Sequence, residues 1–208
     1  MKRFIVAICG ASGTLYGIRL LKALLALPVS VSLILSASGR TVLTHENGYQ
    51  GGDVEAFLES CGILFHSDAR LQIHDNADFF APAASGSALY DGMVIAPCSM
   101  RTLGGIAAGI ADNLILRAAD VCLKERRPLV LLARETPLNA IHLKNMHTLT
   151  LAGATIMPPC PGFYTNPQTI EELVDATVAR VLDQLGLEHD LIRRWGEKGI
   201  GSKLNGEG

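Results

Sequence analysis

Residues 3–17 read Arg3-Phe4-Ile5-Val6-Ala7-Ile8-Cys9-Gly10-Ala11-Ser12-Gly13-Thr14-Leu15-Tyr16-Gly17. An apolar run ends in small residues and passes into helix-period sequence, which reads as a strand buried on both faces, a tight turn and a helix. The pattern recurs. Apolar runs at 3–9, 29–35, 93–96, 129–133 and 154–157 are each followed by helix-period sequence, with helices expected over 14–27, 40–46, 54–61, 102–108, 113–126, 138–151 and 169–185. Strands that alternate with helices build a parallel sheet covered on both sides, so the fold class is a doubly wound α/β domain. The last helix is the clearest: Ile170, Leu173, Val174, Val178, Val181, Leu182 and Leu185 share one face, and Thr169 with Glu172 forms a capping box. Residues 66–90 are the least regular, and with Pro82 and Ser85-Gly86-Ser87 they read as an ordered excursion.

Composition narrows the class. The 208 residues suit one domain, here residues 1–195, with residues 196–208 read as a mobile tail. Only 18% of residues are charged, against about 25% in an average soluble domain, while 49% are hydrophobic. Such a surface belongs either to a membrane protein or to a chain that packs against copies of itself. Pro28 interrupts one long uncharged stretch, and Pro158, Pro159, Pro161 and Pro167 interrupt the other, so self-association is the expectation. Lys2-Arg3 before a six-residue apolar run imitates a signal peptide but lacks a cleavage-type continuation. A net charge of −2 argues against nucleic acid as a partner. Five scattered cysteines without C-x-x-C indicate neither a disulfide framework nor a zinc site, and a reducing cytoplasm is the expected location.

Ligands of open α/β sheets sit outside the carboxyl ends of the strands. There the chain carries Gly10-Ala11-Ser12-Gly13, Ser36, Pro97-Cys98-Ser99-Met100-Arg101-Thr102 and Arg134-Glu135-Thr136. Hydroxyls at helix starts are ordinary N-caps, and equally phosphate ligands, since free amides and the positive end of the helix dipole converge there. Four such turns on one edge favour a site. The glycines at 10, 13 and 17 fit neither G-x-G-x-x-G nor the Walker motif, and flavin mononucleotide (FMN) suits the edge better. A cationic set comprises Arg117, Lys124, Arg126, Arg127, Arg134 and Arg180. Arg126 and Arg127 read as solvated helix-end charges, and Arg180 either snorkels beside an apolar stripe or binds an anion. Arg134-Glu135 stands over the expected pocket, arginine for an anion and glutamate for a proton. Tyr164, in the stiff Pro158-Pro159-Cys160-Pro161-Gly162-Phe163-Tyr164 loop, is either core packing or a pocket wall or phosphate ligand.

These segments, with Arg117-Ala118-Ala119-Asp120-Val121 and Leu123-Lys124-Glu125-Arg126-Arg127-Pro128-Leu129-Val130, closely resemble the UbiX/Pad-type flavin prenyltransferases over residues 2–195. The resemblance implies a flavodoxin-like (Rossmann-like) fold, a cytoplasmic homododecamer, reduced FMN as prenyl acceptor and dimethylallyl monophosphate as donor. It implies a metal-independent transfer to flavin N5 and C6, whose product serves a UbiD-type decarboxylase. By position, Gly10, Ala11, Ser12, Ser36, Ser99, Met100, Arg101, Thr102 and Arg134 match FMN contacts, and Tyr164, Arg180 and Lys124 match prenyl-phosphate contacts. Ser12, Glu46, Lys124 and Glu135 match catalytic positions. Phe79 stands where some members carry tryptophan. Two rivals remain. Flavin-dependent cysteine decarboxylases share the fold but carry a P-x-M-N motif, absent from Arg134-Glu135-Thr136-Pro137-Leu138-Asn139. A non-catalytic flavin carrier or decarboxylase subunit would need no second phosphate site.

Overall fold

The computed structural model describes residues 1–194, and the expected tail lies outside them. One six-stranded parallel sheet forms the middle layer, from β1 (Arg3–Ile8), β2 (Ser30–Leu35), β3 (Arg70–Asp75), β4 (Gly92–Cys98), β5 (Leu129–Ala133) and β6 (Thr155–Ile156). Their order is β3-β2-β1-β4-β5-β6. Helices α1 (Thr14–Leu25), α2 (Ala37–Asn47), α3 (Val54–Ser60), α4 (Met100–Ala107), α5 (Leu114–Lys124), α6 (Ala140–Leu151) and α7 (Ile170–Gln184) connect and cover the strands. The order reverses between β1 and β4, which opens a crevice at their carboxyl ends.

Alternation along β1 divides the core. Phe4, Val6 and Ile8 pack with Leu21, Leu24, Val178 and Leu182 of α1 and α7. Ile5, Ala7 and Cys9 pack with Leu103, Leu114, Ala118 and Cys122 of α4 and α5. Each fully buried aliphatic or aromatic side chain stabilises the sandwich by about 1.5–3 kcal/mol, so these two layers hold the strand ends at fixed height.

Four expectations are corrected. The excursion at 66–90 contains β3, paired in parallel with β2 from Ser30↔Arg70 to Leu35↔Asp75. As the edge strand it is only half covered, and its Arg-Leu-Gln-Ile-His-Asp sequence lacks the continuous apolar run of a doubly buried strand. Helix α2 begins at Ala37, three residues earlier than expected, because Ser36 caps it by accepting from the Gly39 amide at 2.9 Å. Gly39 is required inside that first turn: a Cβ there would lie 2.4 Å from the Ile8 carbonyl oxygen. Arg127 is not a solvated charge. Its guanidinium donates to the carbonyls of Gly86 and Ala88, each at 2.7 Å, and fastens the loop that precedes β4. The α7 cap also differs in detail. Thr169 accepts from the Glu172 amide at 3.1 Å, but the Glu172 carboxylate takes the Gln168 amide, one residue before the cap.

Candidate active site

The turn after β1 brings Gly10, Ala11 and Ser12 to the crevice. Gly10 has no room for a side chain, since a Cβ would meet Ser38 at 2.4 Å. Gly13, at φ 100°, precedes α1 and has no side chain with which to cap it. The missing cap comes from Glu46, near the end of α2. Its carboxylate accepts from the Gly13 amide at 2.9 Å, the Thr14 amide at 3.0 Å and the Thr14 hydroxyl at 2.8 Å. Burial alone would raise the Glu46 carboxyl, but hydrogen bonds from the Ser12 and Thr14 hydroxyls and from the two amides outweigh it and hold the group below its ordinary range. The head of α1 is therefore filled by a protein carboxylate. A phosphate has to use other helix starts.

Two are at hand. Ser36 caps α2, and Ser99 caps α4 by accepting from the Thr102 amide at 3.3 Å, with the Ser99 and Thr102 hydroxyls 3.1 Å apart. Met100 and Arg101 form the first residues of α4, Arg101 exposed. Beneath them Cys9 is pushed up to about 11 by burial, which outweighs hydrogen bonds from Thr102 and Ser99. The buried Cys98 thiol is raised further. Both stay protonated and serve as packing, without thiolate chemistry. Arg134 follows β5, its amide donating to the Cys98 carbonyl at 3.0 Å, which fixes the base of the side chain above the same edge. Glu135 accepts from the Thr136 amide at 3.0 Å, and both side chains are exposed.

Next to this edge, beyond β6, a cleft of about 260 Å³ is lined by residues including Cys160, Tyr164, Thr177 and Arg180. Tyr164 is thus a wall rather than core, with 52% of its surface exposed. Arg180, its side chain 58% exposed, does more than snorkel: it donates to Asp183 at 2.8 Å while lining the cleft. Asp183 also accepts from Arg194 at 2.9 Å and pairs with His189 at 3.2 Å. Tyr16 joins the two regions. Its ring stands against Gly13, and its hydroxyl bonds Thr177 of the cleft.

Lys124 does not join the others within one chain. It closes α5 at the amino edge of β5, whereas Arg134 follows the carboxyl end, and the five-residue strand between them spans roughly 16 Å at about 3.3 Å per residue. There it pairs with Glu125. Arg117 is tied to the Ala84 carbonyl at 3.0 Å and to Asp120 at 2.6 Å. Phe79 is 46% exposed and Phe80 projects fully into solvent. Sequence reading missed Thr14, Tyr16 and Asp183. Only Asp183 carried a local signal, as a carboxylate three residues after Arg180 on one helix.

Among the described residues no helix is long and apolar enough to cross a membrane. The model of the flavoprotein family matches residues 1–182. Flavin prenyltransferase UbiX of Methanothermobacter thermautotrophicus is 44% identical over 200 residues, covering 96% of this chain and 98% of the relative. The solved structure of AnUbiX in complex with FMN and dimethylallyl pyrophosphate superposes with a TM-score of 0.84 at 44% identity, covering 93% of this chain and 97% of its own. A dodecameric FMN-dependent UbiX-like decarboxylase from Escherichia coli O157:H7 gives 0.83 at 44%, covering 93% and 98%. With identity of this order over nearly the whole length, the chain belongs to the flavoprotein family and, within it, to the UbiX-type flavin prenyltransferases.

Proposed function

We propose that the chain transfers the dimethylallyl group of dimethylallyl monophosphate to N5 and C6 of reduced FMN, closing a fourth ring, releasing phosphate and making prenylated FMN for a UbiD-type decarboxylase. One observation carries the reading: two separate sets of donors suited to anions lie along one sheet edge. The heads of α2 and α4 with Arg134 form the first, and the Tyr164 and Arg180 cleft forms the second. A flavin store needs only one.

The donor set suits FMN. Hydroxyls and amides at Ser36, Ser99, Met100, Arg101 and Thr102, with the Arg134 guanidinium, would hold its phosphate and ring edge, and the Gly10-Ala11-Ser12 turn would let the ring approach the backbone. Reduced FMN supplies the nucleophilic N5 and C6. Tyr164, Arg180 and Lys124 would hold the prenyl phosphate, whose ionisation they favour by neutralising the leaving oxygens. Glu135 would share a proton with the departing phosphate, and Ser12 with Glu46 would stand beside the flavin N5. No metal enters this scheme.

Lys124 takes that role only from another copy of the chain, which fits a closed assembly of twelve. Ile141, Leu143, Leu151 and Phe80 are exposed in the single chain, and covering them would also keep water from an allylic cation. All five cysteines are free, in keeping with a cytoplasmic location.

The test is anaerobic incubation with reduced FMN and dimethylallyl monophosphate, then mass analysis of the flavin. The expected product is FMN carrying one five-carbon unit, with one phosphate released. Bound but unmodified flavin with either the monophosphate or the pyrophosphate identifies a carrier and overturns the reading.

A further inference from the structure

Thr14 opens α1 and is 0% exposed. Its hydroxyl lies 2.8 Å from Glu46 Oε2 and 2.5 Å from the Asn47 carboxamide oxygen. A hydroxyl has one proton to give and two lone pairs, so it cannot donate to both. The contacts close when the Asn47 amide is turned so that its NH2 donates to Thr14 and the Thr14 proton goes to Glu46, since the two ends of an amide are assigned from the hydrogen-bond network. A chain then runs from Asn47 through Thr14 to Glu46. The carboxylate also receives the Gly13 and Thr14 amides and the Ser12 hydroxyl.

Four donors fix a carboxylate more tightly than three. Glu46 is an exposed side chain at the end of a helix, with several rotamers open to it, and among the described residues the donors that hold it belong to the first turn of α1 and the residues before it. We propose that Thr14 is a positioning residue for prenyl transfer: its buried hydroxyl pins the Glu46 carboxylate over the head of α1, so that Ser12, donating to that carboxylate, turns its lone pairs toward the flavin edge. The inference rests on the proposed placement of Ser12 and Glu46 beside flavin N5. The groups that set the Glu46 carboxyl are neutral donors, while the other charged or titratable side chains of α1 and α2 are Tyr16, Arg19, Lys22, Arg40 and His45. Loss of one donor therefore lets Glu46 protonate at higher pH, and a protonated Glu46 no longer accepts from Ser12 in the same way.

The experiment compares Thr14→Val, which keeps the shape and removes the hydroxyl, with Thr14→Ser, which restores it. Prenylation of reduced FMN by dimethylallyl monophosphate is followed against pH, with FMN affinity measured in parallel. Thr14→Val should lower kcat about tenfold, the scale of one hydrogen bond to a charged group, and shift the acid limb of kcat to higher pH. KM for the prenyl phosphate and FMN affinity should stay within about twofold, and Thr14→Ser should recover both rate and limb. A valine variant with wild-type kcat and acid limb, or a serine variant as slow as valine, overturns the proposal. Glu46→Gln separates the layers. Wild-type turnover there removes the placement of Glu46 and the proposal with it, whereas a slow Glu46→Gln beside a wild-type-like Thr14→Val removes the proposal alone. If the valine chain does not fold, Thr14→Cys, a weak donor of similar volume, is read the same way: intermediate kcat supports the proposal and wild-type kcat overturns it.

Discussion

At the head of α1 one carboxylate is caught by the Gly13 and Thr14 amides and the Thr14 hydroxyl. In the neighbouring cleft, Tyr164 and the Arg180 side chain keep 52% and 58% of their surfaces in solvent, and Lys124 stands at the opposite sheet edge. The end proposed for the flavin is wired by backbone and caps within one chain. The end proposed for the prenyl phosphate is a half-built wall. Preorganised donors cost nothing to arrange when the ligand arrives, whereas half-exposed cations paired with their own carboxylates must be re-ordered by the ligand or by another surface. Substitutions among the caps and turns that hold the first end should thus act on binding or folding, whereas those at the second end, like those in the Thr14, Glu46 and Ser12 chain, act on turnover.

The largest effect expected is on chemistry. Glu135→Gln should fold and bind FMN as the wild type does and slow prenyl transfer about a hundredfold or more, the usual scale for removing a proton-transfer group; single-turnover kinetics with FMN fluorescence quenching as control checks it. A weakened FMN affinity with normal turnover would move Glu135 to the flavin end. Arg134→Ala should weaken FMN retention by about tenfold or more, as loss of a charge-assisted contact does, read by the same quenching titration. Unchanged affinity would detach Arg134 from the flavin.

Smaller effects fall on the scaffold. Gly39→Ala puts a Cβ 2.4 Å from the Ile8 carbonyl, and thermal unfolding should report a loss of about 1–3 kcal/mol, as overpacking does. Wild-type Tm would show that the first turn of α2 can move. Asp183 is held below its ordinary range chiefly by the Arg194 hydrogen bond, then His189 and Arg180, against the opposing effect of burial. A depressed folded value means that its contribution is present above the unfolded carboxylate range, near about 3.9, and is lost as pH falls through the lower folded value. Asp183→Asn should flatten that acid side of the Tm profile by a small amount, because its arginine partners are about half exposed and solvent screens the pairs.

Legibility in the sequence followed coverage. Strands β1, β2, β4 and β5 are buried along nearly their whole length, so their apolar runs identified them. Strand β3 lies at the edge, and Arg70, Gln72, His74 and Asp75 gave it no such signature. Ser36 and Ser99 were legible because capping is local chemistry. The Glu46 to Thr14 contact spans 32 residues, and no local rule connects them; only the family resemblance pointed to Glu46. Lys124 and Arg134 looked like one constellation because they are ten residues apart in sequence, yet the strand between them carries them to opposite edges.

That separation leads to the measurement with the sharpest outcome. Lys124→Ala and Glu135→Gln chains, each expected to be slowed about a hundredfold or more alone, are co-assembled in equal amounts and assayed for prenylated FMN. If the phosphate end is completed by another copy, one class of sites combines Lys124 from one chain with Glu135 from its neighbour, and activity should return to roughly a quarter of wild type for random mixing in a closed oligomer. No recovery, in assemblies shown by mass to contain both chains, would mean that each chain builds its site alone and would contradict the account.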